Sequence, residues 1–302
     1  MQRTTLNIPV FFLLGCLLII GCATTKKIAD DIMGNGRDLK KKIAFLPTLN
    51  NSNYGGEDFR RASATELKTF LGRTCDGLCI MDSRKIREAS KEMPRIESGR
   101  IDHLALAEFG RIHGLGTVIE QEISEVQCVT DKRGIWGFRK TCLLVKVSFR
   151  VRAYDIETTA MLFDEVVREQ VQISEDAWQS VKGSNEYNKG IAHSILDKIT
   201  PEIGEMICRR LAEVPWKGYI VSSSDGIFTL SAGIDVGLAA GDILEVFAMG
   251  EPVKGHGDGV YLISGPKIGE IKVTEVRSQQ AEAIRISGSN LENSCCIKLK
   301  PS

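Results

Sequence analysis

Asp155 and Glu157, two carboxylates near a turn, have the type and spacing that could support general acid and base chemistry. Such a pair divides the roles of proton donor and acceptor when its surroundings separate the two pKa values. Acidic residues near turns also accept hydrogen bonds from backbone amides, and we expect that capping role here. His103 and His113 lie on one predicted helix but face different directions, so we do not expect a ligand pair.

Other patterns with catalytic meaning add no candidate. The sequence has no GxSxG, HExxH or GxxxxGK motif. The segment GHGDG at residues 255–259 imitates part of a dinucleotide-binding fingerprint, but it lacks the flanking strand and helix, so we expect a loop. We therefore predict a protein that is not an enzyme and has no catalytic residue, cofactor or metal.

The amino-terminal segment has the pattern of a secretory signal. It contains Arg3, then an apolar stretch from Val10 to Ile20, and it ends at a small residue, Gly21. The apolar stretch is about half of the ~20 residues that a membrane-spanning helix needs. We predict a signal peptide at residues 1–21, with an ordinary signal anchor as the alternative.

Cys22 is the predicted lipidation site. Ile19-Ile20-Gly21-Cys22 resembles the bacterial lipobox, in which the signal is cut before a cysteine whose thiol carries diacylglycerol. Cys16 ends a weaker match, because another apolar run follows it. In such lipoproteins Ala23 is permissive for outer-membrane sorting, so the resemblance implies an outer-membrane protein facing the periplasm. Residues 22–40 are polar and lack strong periodicity, which predicts a tether.

Export would place the other cysteines in an oxidising compartment, where disulfides form. Cys128 and Cys142 flank a polar segment between two strand-like runs, so they could face each other across a hairpin. Cys75 and Cys79 lie in CDGLC, a tight loop that could close on itself. A metal site is the alternative, but there is no CxxC pair and no histidine near these cysteines, so we favour disulfides. One more bridge could come from Cys208, Cys295 and Cys296.

Apolar periodicity from residue 41 to residue 213 predicts strands and helices in one domain. The longest helical stripe runs from Tyr187 to Leu211, and Pro201 predicts a kink or a fresh start within it. We predict an α/β (α+β) fold in which helices cover one face of a mixed sheet. The predicted strands are 41–47, 78–81, 117–129, 143–153 and 162–173, and the predicted helices are 58–71, 101–113, 186–211 and one capped by Asp82 or Ser83.

The chain changes character at EVPWKG, residues 213–218. Residues 218–302 are rich in glycine and contain short β-like runs without a helical period. Repeated short strands with glycine turns are typical of a small barrel or sandwich. We predict a second, small all-β domain that resembles a barrel.

The order of elements between residues 41 and 212 resembles a family of envelope lipoproteins that includes the curli secretion channel CsgG, and the amino-terminal domain of TolB. The matching segments are KKIAFLPTLNN, LCIMDSRKI, LAEFGRIHGLGTVIEQEISEV and VSFRVRAYDIETTAML. The chain departs from the family pattern at Thr48, which follows Pro47, and at Glu120, where glycine is usual. The residues at corresponding places are Asp82, Arg84, Gly110, Tyr154 and Asp155.

The carboxy-terminal part resembles the last domain of the flagellar assembly protein FlgT. Gly233, Gly237, Gly241 and Asp242 carry this resemblance. The glycines are interpreted as turn residues that allow positive φ, and Asp242 as a side chain that closes a turn. The resemblance again implies a place in the cell envelope.

Charge and aromatic content argue against nucleic acid as a partner. The 39 basic residues balance 39 acidic ones, and aromatic residues make up 6% of the chain. Phosphate binding needs an excess of positive charge and base stacking needs aromatic side chains. We expect no small-molecule substrate either. The expected partners are a membrane, through the lipid anchor, and envelope proteins, with homo-oligomerisation left open.

Two functions remain after these exclusions. The first is a lipid-anchored, non-enzymatic periplasmic adaptor or assembly factor of a secretion, flagellar or cell-wall machine. The alternative is a CsgG-like oligomeric secretion-pore subunit. A membrane-inserted strand needs ~9–11 residues with a continuous apolar side. Charged residues are dense in both candidate hairpins, residues 117–153 and 162–190, so the sequence favours the adaptor.

Overall fold

The computed structural model describes residues 38–81, 102–135, 137, 139–181, 186–255, 260–291 and 295–301. Asp38–Lys300 form one compact unit. Several predictions fall outside the described residues: the signal peptide at 1–21, Cys22, the tether as far as residue 37, the helix after Asp82 or Ser83, Arg84, and residues 256–259 of the GHGDG segment.

A six-stranded mixed sheet forms the first part of the unit. Its strands are β1 (Lys41–Phe45), β2 (Leu49–Asn50), β3 (Leu78–Ile80), β4 (Thr117–Arg133), β5 (Lys140–Asp155) and β6 (Met161–Gln172). The order across the sheet is β3-β1-β4-β5-β6, and β2 pairs with β4. β1 runs parallel to β3 and β4, whereas β4, β5 and β6 form an antiparallel meander. The predicted mixed sheet is confirmed.

The described part of the chain contains four α-helices: α1 (Gly56–Thr74), α2 (His103–His113), α3 (Glu175–Val181) and α4 (Lys189–Ala212). Gly114, with φ 69°, ends α2 as predicted. α4 continues through Pro201, so no new helix starts there. The predicted apolar stripe of α4 is buried: Ile191, Ile195, Ile199, Ile203, Ile207 and Leu211.

The two faces of the sheet support different structures, because successive side chains of a strand point to opposite sides. Phe149 and Val151 of β5 face a core that they share with α1 and α4. Val118 of β4 faces the other side, where it belongs to a cluster with Leu106 of α2 and Tyr219. The helices α1 and α4 therefore cover one face, and α2 packs on the opposite face.

A closed six-stranded barrel forms the second part. Its strands are β7 (Gly218–Ser224), β8 (Ile227–Leu230), β9 (Ile243–Phe247), β12 (Lys267–Val276), β13 (Ala281–Gly288) and β14 (Cys296–Leu299). The order is β12-β13-β8-β7-β14-β9, and β9 closes onto β12. A separate hairpin contains β10 (Glu251–Lys254) and β11 (Val260–Ile263). The predicted barrel-like domain is confirmed.

The glycines that carry the second resemblance have two different roles. Gly237 and Gly241 have φ of 88° and 97°, as predicted for turn residues. The side chain of Asp242 closes the turn by accepting a hydrogen bond from the amide of Ala239 at 2.8 Å. Gly233 departs from the prediction, because its φ is −146°. A Cβ atom there would lie 2.2 Å from the carbonyl oxygen of Arg277, so close approach explains this glycine.

The disulfide pairing of Cys75 differs from the prediction. Cys75 is bonded to Cys208, 133 residues further along the chain, with 5.8 Å between their Cα atoms. Cys75 follows α1 and is buried in the core shared with α4, which carries Cys208. Cys79 instead lies in β3 opposite Lys42 of β1 and is unbonded. The predicted closure of the CDGLC loop is therefore wrong.

The predicted bridge between Cys128 and Cys142 is also wrong. Both thiols are unbonded, although the two residues lie in the paired strands β4 and β5. Cys128 lies opposite Val145, and Cys142 lies opposite Asp131. The hairpin register places the two cysteines on different rungs, so their side chains do not meet.

Candidate functional site

Asp155 and Glu157 are both buried where β5 ends and a turn begins. Oδ2 of Asp155 accepts hydrogen bonds from the amide of Thr158 at 3.0 Å and from its hydroxyl at 2.7 Å. The predicted capping role is confirmed for Asp155. Glu157 makes different contacts, with lysines from the barrel region.

Lys217 and Lys298 neutralise these carboxylates. Nζ of Lys217, directly before β7, lies 2.7 Å from Oδ1 of Asp155 and 2.7 Å from Oε2 of Glu157. Nζ of Lys298, on β14, lies 3.0 Å from Oε1 of Glu157. Burial raises the pKa of Glu157, but the two lysines more than offset this and lower it overall. Burial likewise lowers the pKa of Lys217, and the two carboxylates raise it above 10.5.

The four groups form a charge-balanced cluster, called the Lys217 cluster below: Asp155, Glu157, Lys217 and Lys298. Each of the four carboxylate oxygens has a donor. A general base needs an oxygen that can take a substrate proton, and such an atom is already engaged here. Removing any one partner from a buried ion pair of this kind destabilises the protein, because it leaves a buried charge without compensation. The arrangement therefore suits a joint between the β5 turn and the barrel.

Tyr219 and Cys296 lie opposite each other on β7 and β14, next to this cluster. The hydroxyl of Tyr219 is buried and finds no hydrogen-bond partner among the described residues. Burial, followed by the charge of Cys296 and the nearby carboxylates, raises the pKa of Tyr219 well above its ordinary value. Burial also raises the pKa of Cys296 to about 12. Neither side chain ionises near neutral pH, so neither is prepared as a nucleophile.

Sequence reasoning found no SxxK motif and so missed Ser264 and Lys267, which have that spacing. Their surroundings differ from those of a nucleophile and its base. Nζ of Lys267 lies 2.6 Å from a carboxylate oxygen of Glu245 and 2.7 Å from one of Glu270. The hydrogen bonds that Lys267 donates to these two carboxylates raise the pKa of Lys267, so the ammonium form is favoured.

The predicted histidines are not brought together as a site. The ring of His113 lies 4.7 Å from that of Phe109 on the same helix, and the side chain of His103 lies outside the described part. Across the described residues, no group of three or more His, Cys, Asp or Glu side chains could hold a metal ion.

A cleft of about 550 Å³ lies between β3, α2 and the barrel. Nζ of Lys42 lies 3.0 Å from Oδ2 of Asp235 and donates to the carbonyl oxygen of Ser231 at 3.0 Å. Arg277, also in the lining, pairs with two glutamates of the barrel. Because Lys42 and Arg277 are both paired with carboxylates, neither is a free cation for an anionic ligand in the described lining of the cleft.

The face of the sheet opposite α1 and α4 carries a row of charges across β4, β5 and β6. Glu120 lies opposite Arg152, and Arg152 lies opposite Asp164. Arg152 contacts Oε2 of Glu120 at 2.8 Å, and the guanidinium of Arg150 donates to Asp164 at 2.6 Å. Among the described strands β6 ends this row, because it lies at the end of the sheet order and pairs only with β5.

Comparisons with solved structures find distant similarities to several bacterial proteins. Lipoprotein GNA1162 from Neisseria meningitidis is similar at 14% identity over 55% of this chain and 99% of that chain, with a TM-score of 0.34. The PelC dodecamer from Paraburkholderia phytofirmans is similar at 10% identity over 54% of this chain and 85% of that chain, with a TM-score of 0.28. TolB from Acinetobacter baumannii is similar at 11% identity over 82% of this chain and 60% of that chain, with a TM-score of 0.30.

All three similarities are distant, with identities of 10–14% and TM-scores of 0.28–0.34. No protein-family model and no curated protein matches the chain. The helices among the described residues include none that is long and apolar enough to cross a membrane.

Sequence reasoning missed Lys217 and Lys298, although both are as important to the cluster as the carboxylates. Lys217 lies in EVPWKG, a segment that the composition identified only as a boundary. Lys298 lies 141 residues after Glu157, a separation that no local pattern reports. The position of Lys217 directly before a buried strand was the one local signal that its charge is buried.

Proposed function

We propose that this chain is a lipid-anchored periplasmic adaptor or assembly factor of a cell-envelope machine, without enzymatic activity. The observation that carries the proposal is the Lys217 cluster. It uses the carboxylate pair with catalytic spacing, Asp155 and Glu157, to join the sheet to the barrel. A rigid joint between two modules suits a protein that holds partners in place, because it fixes the surfaces that the modules present.

The anchor in this proposal is the acylated thiol of Cys22, on the outer membrane and facing the periplasm. Its support is the signal pattern at residues 1–21 and the lipobox-like segment before Cys22. Residues 38–40, the last three of the predicted tether at residues 22–40, belong to the folded unit, where Leu39 is buried in the barrel core. The part of the tether before them would let the folded unit reach partners at some distance from the membrane. The secretion, flagellar or cell-wall assembly machines are the classes of partner that we propose, with a FlgT-like role for the barrel.

The alternative, a CsgG-like secretion-pore subunit, is less well supported. The sheet face that would have to meet lipid carries the charge row of Glu120, Arg152 and Asp164, with Arg150 beside it. A lysine or arginine side chain that faces lipid near the bilayer centre destabilises a membrane barrel by about 2–4 kcal/mol. Single-channel conductance by the purified protein in planar bilayers would favour the pore over the adaptor.

Labelled palmitate tests the anchor in cells that make the full-length chain. We expect the label to enter the wild-type protein and to be lost in Cys22→Ser, with Cys16→Ser as the matched control that keeps the label. Equal labelling of wild type and Cys22→Ser would contradict the anchor at Cys22.

Cross-linking in intact cells, followed by affinity purification, tests the adaptor role. We expect envelope proteins to copurify with the wild-type chain and to be depleted with Cys22→Ser, because the unanchored protein leaves the membrane surface. Recovery of the wild-type chain alone would contradict the adaptor. Turnover of peptidoglycan or generic hydrolase substrates by the folded unit would contradict the non-enzymatic assignment.

A further inference from the structure

Within the part of the chain that the structure describes, β6 has one open edge. It is a strand of 12 residues that pairs there with β5 alone. The carbonyl oxygen of Gln170 accepts a hydrogen bond from Nζ of Lys198 at 2.8 Å, and its amide donates to the side chain of Glu169 at 3.2 Å. The backbone groups of Gln170 therefore point away from β5. Because direction alternates along a strand, those of Asp164, Val166 and Arg168 also point to the open edge.

The charge row stops at this edge. Glu120, Arg152 and Asp164 alternate in sign from β4 through β5 to β6. Arg168 lies on the same face of β6 as Asp164, four residues further along, and is exposed. Within the described part of the chain, Arg168 makes no ion pair. A cation opposite Asp164 on one more strand would continue the row.

We propose that β6 pairs antiparallel with β6 of a second copy of this chain, about a two-fold axis at Val166. This register places Asp164 opposite the partner's Arg168 and Arg168 opposite the partner's Asp164. Charge then alternates from strand to strand along the row, through Glu120, Arg152, Asp164 and the partner's Arg168. Opposite charges on facing strands stabilise a sheet.

The backbone supports the same register. With Val166 on the axis, the residues whose backbone groups point outward in one copy lie opposite the outward-pointing residues of the other copy. Residues placed in this way form the hydrogen-bonded pairs of an antiparallel ladder. Asp164, Val166 and Arg168 would form about six hydrogen bonds with the partner. Lys198 and Glu169 occupy the backbone groups of Gln170, so the pairing ends before that residue.

The side chains at the axis are compatible with contact. Val166 is 39% exposed in the single chain and is the apolar member of the outward face between the two charges. A β-branched side chain that meets its own copy on a sheet surface buries apolar area at the axis. This interaction surface does not involve the lipid anchor, so it extends the proposed function without depending on it.

Oxidative cross-linking of the full-length protein in detergent tests the register. In a hydrogen-bonded antiparallel pair the facing Cα atoms are about 5.5 Å apart, a distance that a disulfide spans. We expect Val166→Cys to give a disulfide-linked dimer at least fivefold above the wild-type background. Arg168→Cys alone and Gln172→Cys alone should stay at background, because neither faces its own copy.

A mixture of two variants makes the test specific. Asp164→Cys and Arg168→Cys, mixed and oxidised, should give a linked heterodimer, whereas each alone should not. Equal linkage in all variants, or no linkage of Val166→Cys above background, would overturn the proposal.

Charge reversal provides a second test that needs no new cysteine. Arg168→Glu places like charges opposite each other at two symmetric positions, so the dimer dissociation constant measured by sedimentation should rise roughly tenfold or more. Arg209→Glu, an exposed change on α4, should leave it unchanged. The melting temperature of each variant shows whether it is folded. An unchanged dissociation constant for folded Arg168→Glu would contradict the pairing, as would a wild-type chain that stays monomeric.

Discussion

Nζ of Lys217 lies 2.7 Å from Oδ1 of Asp155, across 62 positions of sequence. Asp155 is the last residue of β5 in the mixed sheet, and Lys217 directly precedes the first strand of the barrel. Both side chains are buried, at 4% and 8% exposure. The contact therefore connects the two parts of the fold through charges that have little access to water.

Lys217→Met should destabilise the protein strongly. The change leaves Asp155 and Glu157 buried without their shared cation, and breaking a buried pair in this way costs about 3–5 kcal/mol. Urea unfolding at pH 7 measures the loss of unfolding free energy. Lys267→Met is the matched control, because Lys267 also contacts two carboxylates but at the surface, and it should change stability little.

The free energy of unfolding should fall in acid because Glu157 becomes protonated. The pKa of Glu157 in the folded protein is below its ordinary value of 4.5, so its contribution is present above that value. The contribution is lost as pH falls through the lowered pKa. The difference in unfolding free energy between wild type and Glu157→Gln should be constant from pH 6 to pH 8 and shrink below pH 4.5. A difference that grows in acid would contradict the lowered pKa.

Tyr219→Phe should leave stability unchanged or raise it by about 1 kcal/mol. The hydroxyl of Tyr219 is buried without a hydrogen-bond partner among the described residues, so removing it removes a desolvation cost. Thermal melting at pH 7 measures the effect. Tyr54→Phe is a useful comparison, since the hydroxyl of Tyr54 donates to the carbonyl of Asn188 at 3.3 Å and its loss should destabilise. A loss above 1 kcal/mol for Tyr219→Phe would show that the hydroxyl has a partner.

The Cys75–Cys208 disulfide should stabilise the fold by about 2–4 kcal/mol, because it closes a loop of 133 residues in the unfolded chain. Cys75→Ala with Cys208→Ala should lose that amount in urea unfolding. Cys79→Ala, in the predicted but unformed bridge, should keep the disulfide and show no such loss. Mass spectrometry of a protease digest should find the peptides of Cys75 and Cys208 linked.

Gly204→Ala should destabilise the protein although alanine is the better helix former. A Cβ atom at Gly204 would lie 2.3 Å from the ring of Phe70, so α1 and α4 would have to move apart. Such overpacking costs about 1–3 kcal/mol. Gly72→Ala in α1 has open space around the new Cβ and should gain up to about 1 kcal/mol. Thermal melting of both variants checks the contrast.

Local patterns predicted the secondary structure well. The stripe of α4 and the turns at Gly114, Gly237 and Gly241 depend on neighbouring residues, and each is present. The capping by Asp155 also depends on three adjacent residues and was predictable. Gly233 was misinterpreted because its constraint is the carbonyl of Arg277, which is 44 positions away in the chain.

Contacts between distant segments were beyond local reasoning. The cysteines were paired in the prediction by closeness in sequence, whereas Cys75 meets Cys208 because α1 and α4 pack together. The prediction for Cys128 and Cys142 failed for a related reason. The turn and the register of β4 with β5 set which residues face each other, and flanking positions do not determine that register.

By itself, the sequence determined the α/β class followed by a small β barrel, and the turn chemistry, because periodicity and backbone preferences act over a few residues. Export and lipidation at Cys22 stay predictions from the lipobox-like segment. Only the tertiary structure decided that Lys217 and Lys298 neutralise Asp155 and Glu157, and that the open edge of β6 ends a row of alternating charges. These features arise from charges and strands brought together across long loops, where burial strengthens each interaction and no local pattern specifies the partner.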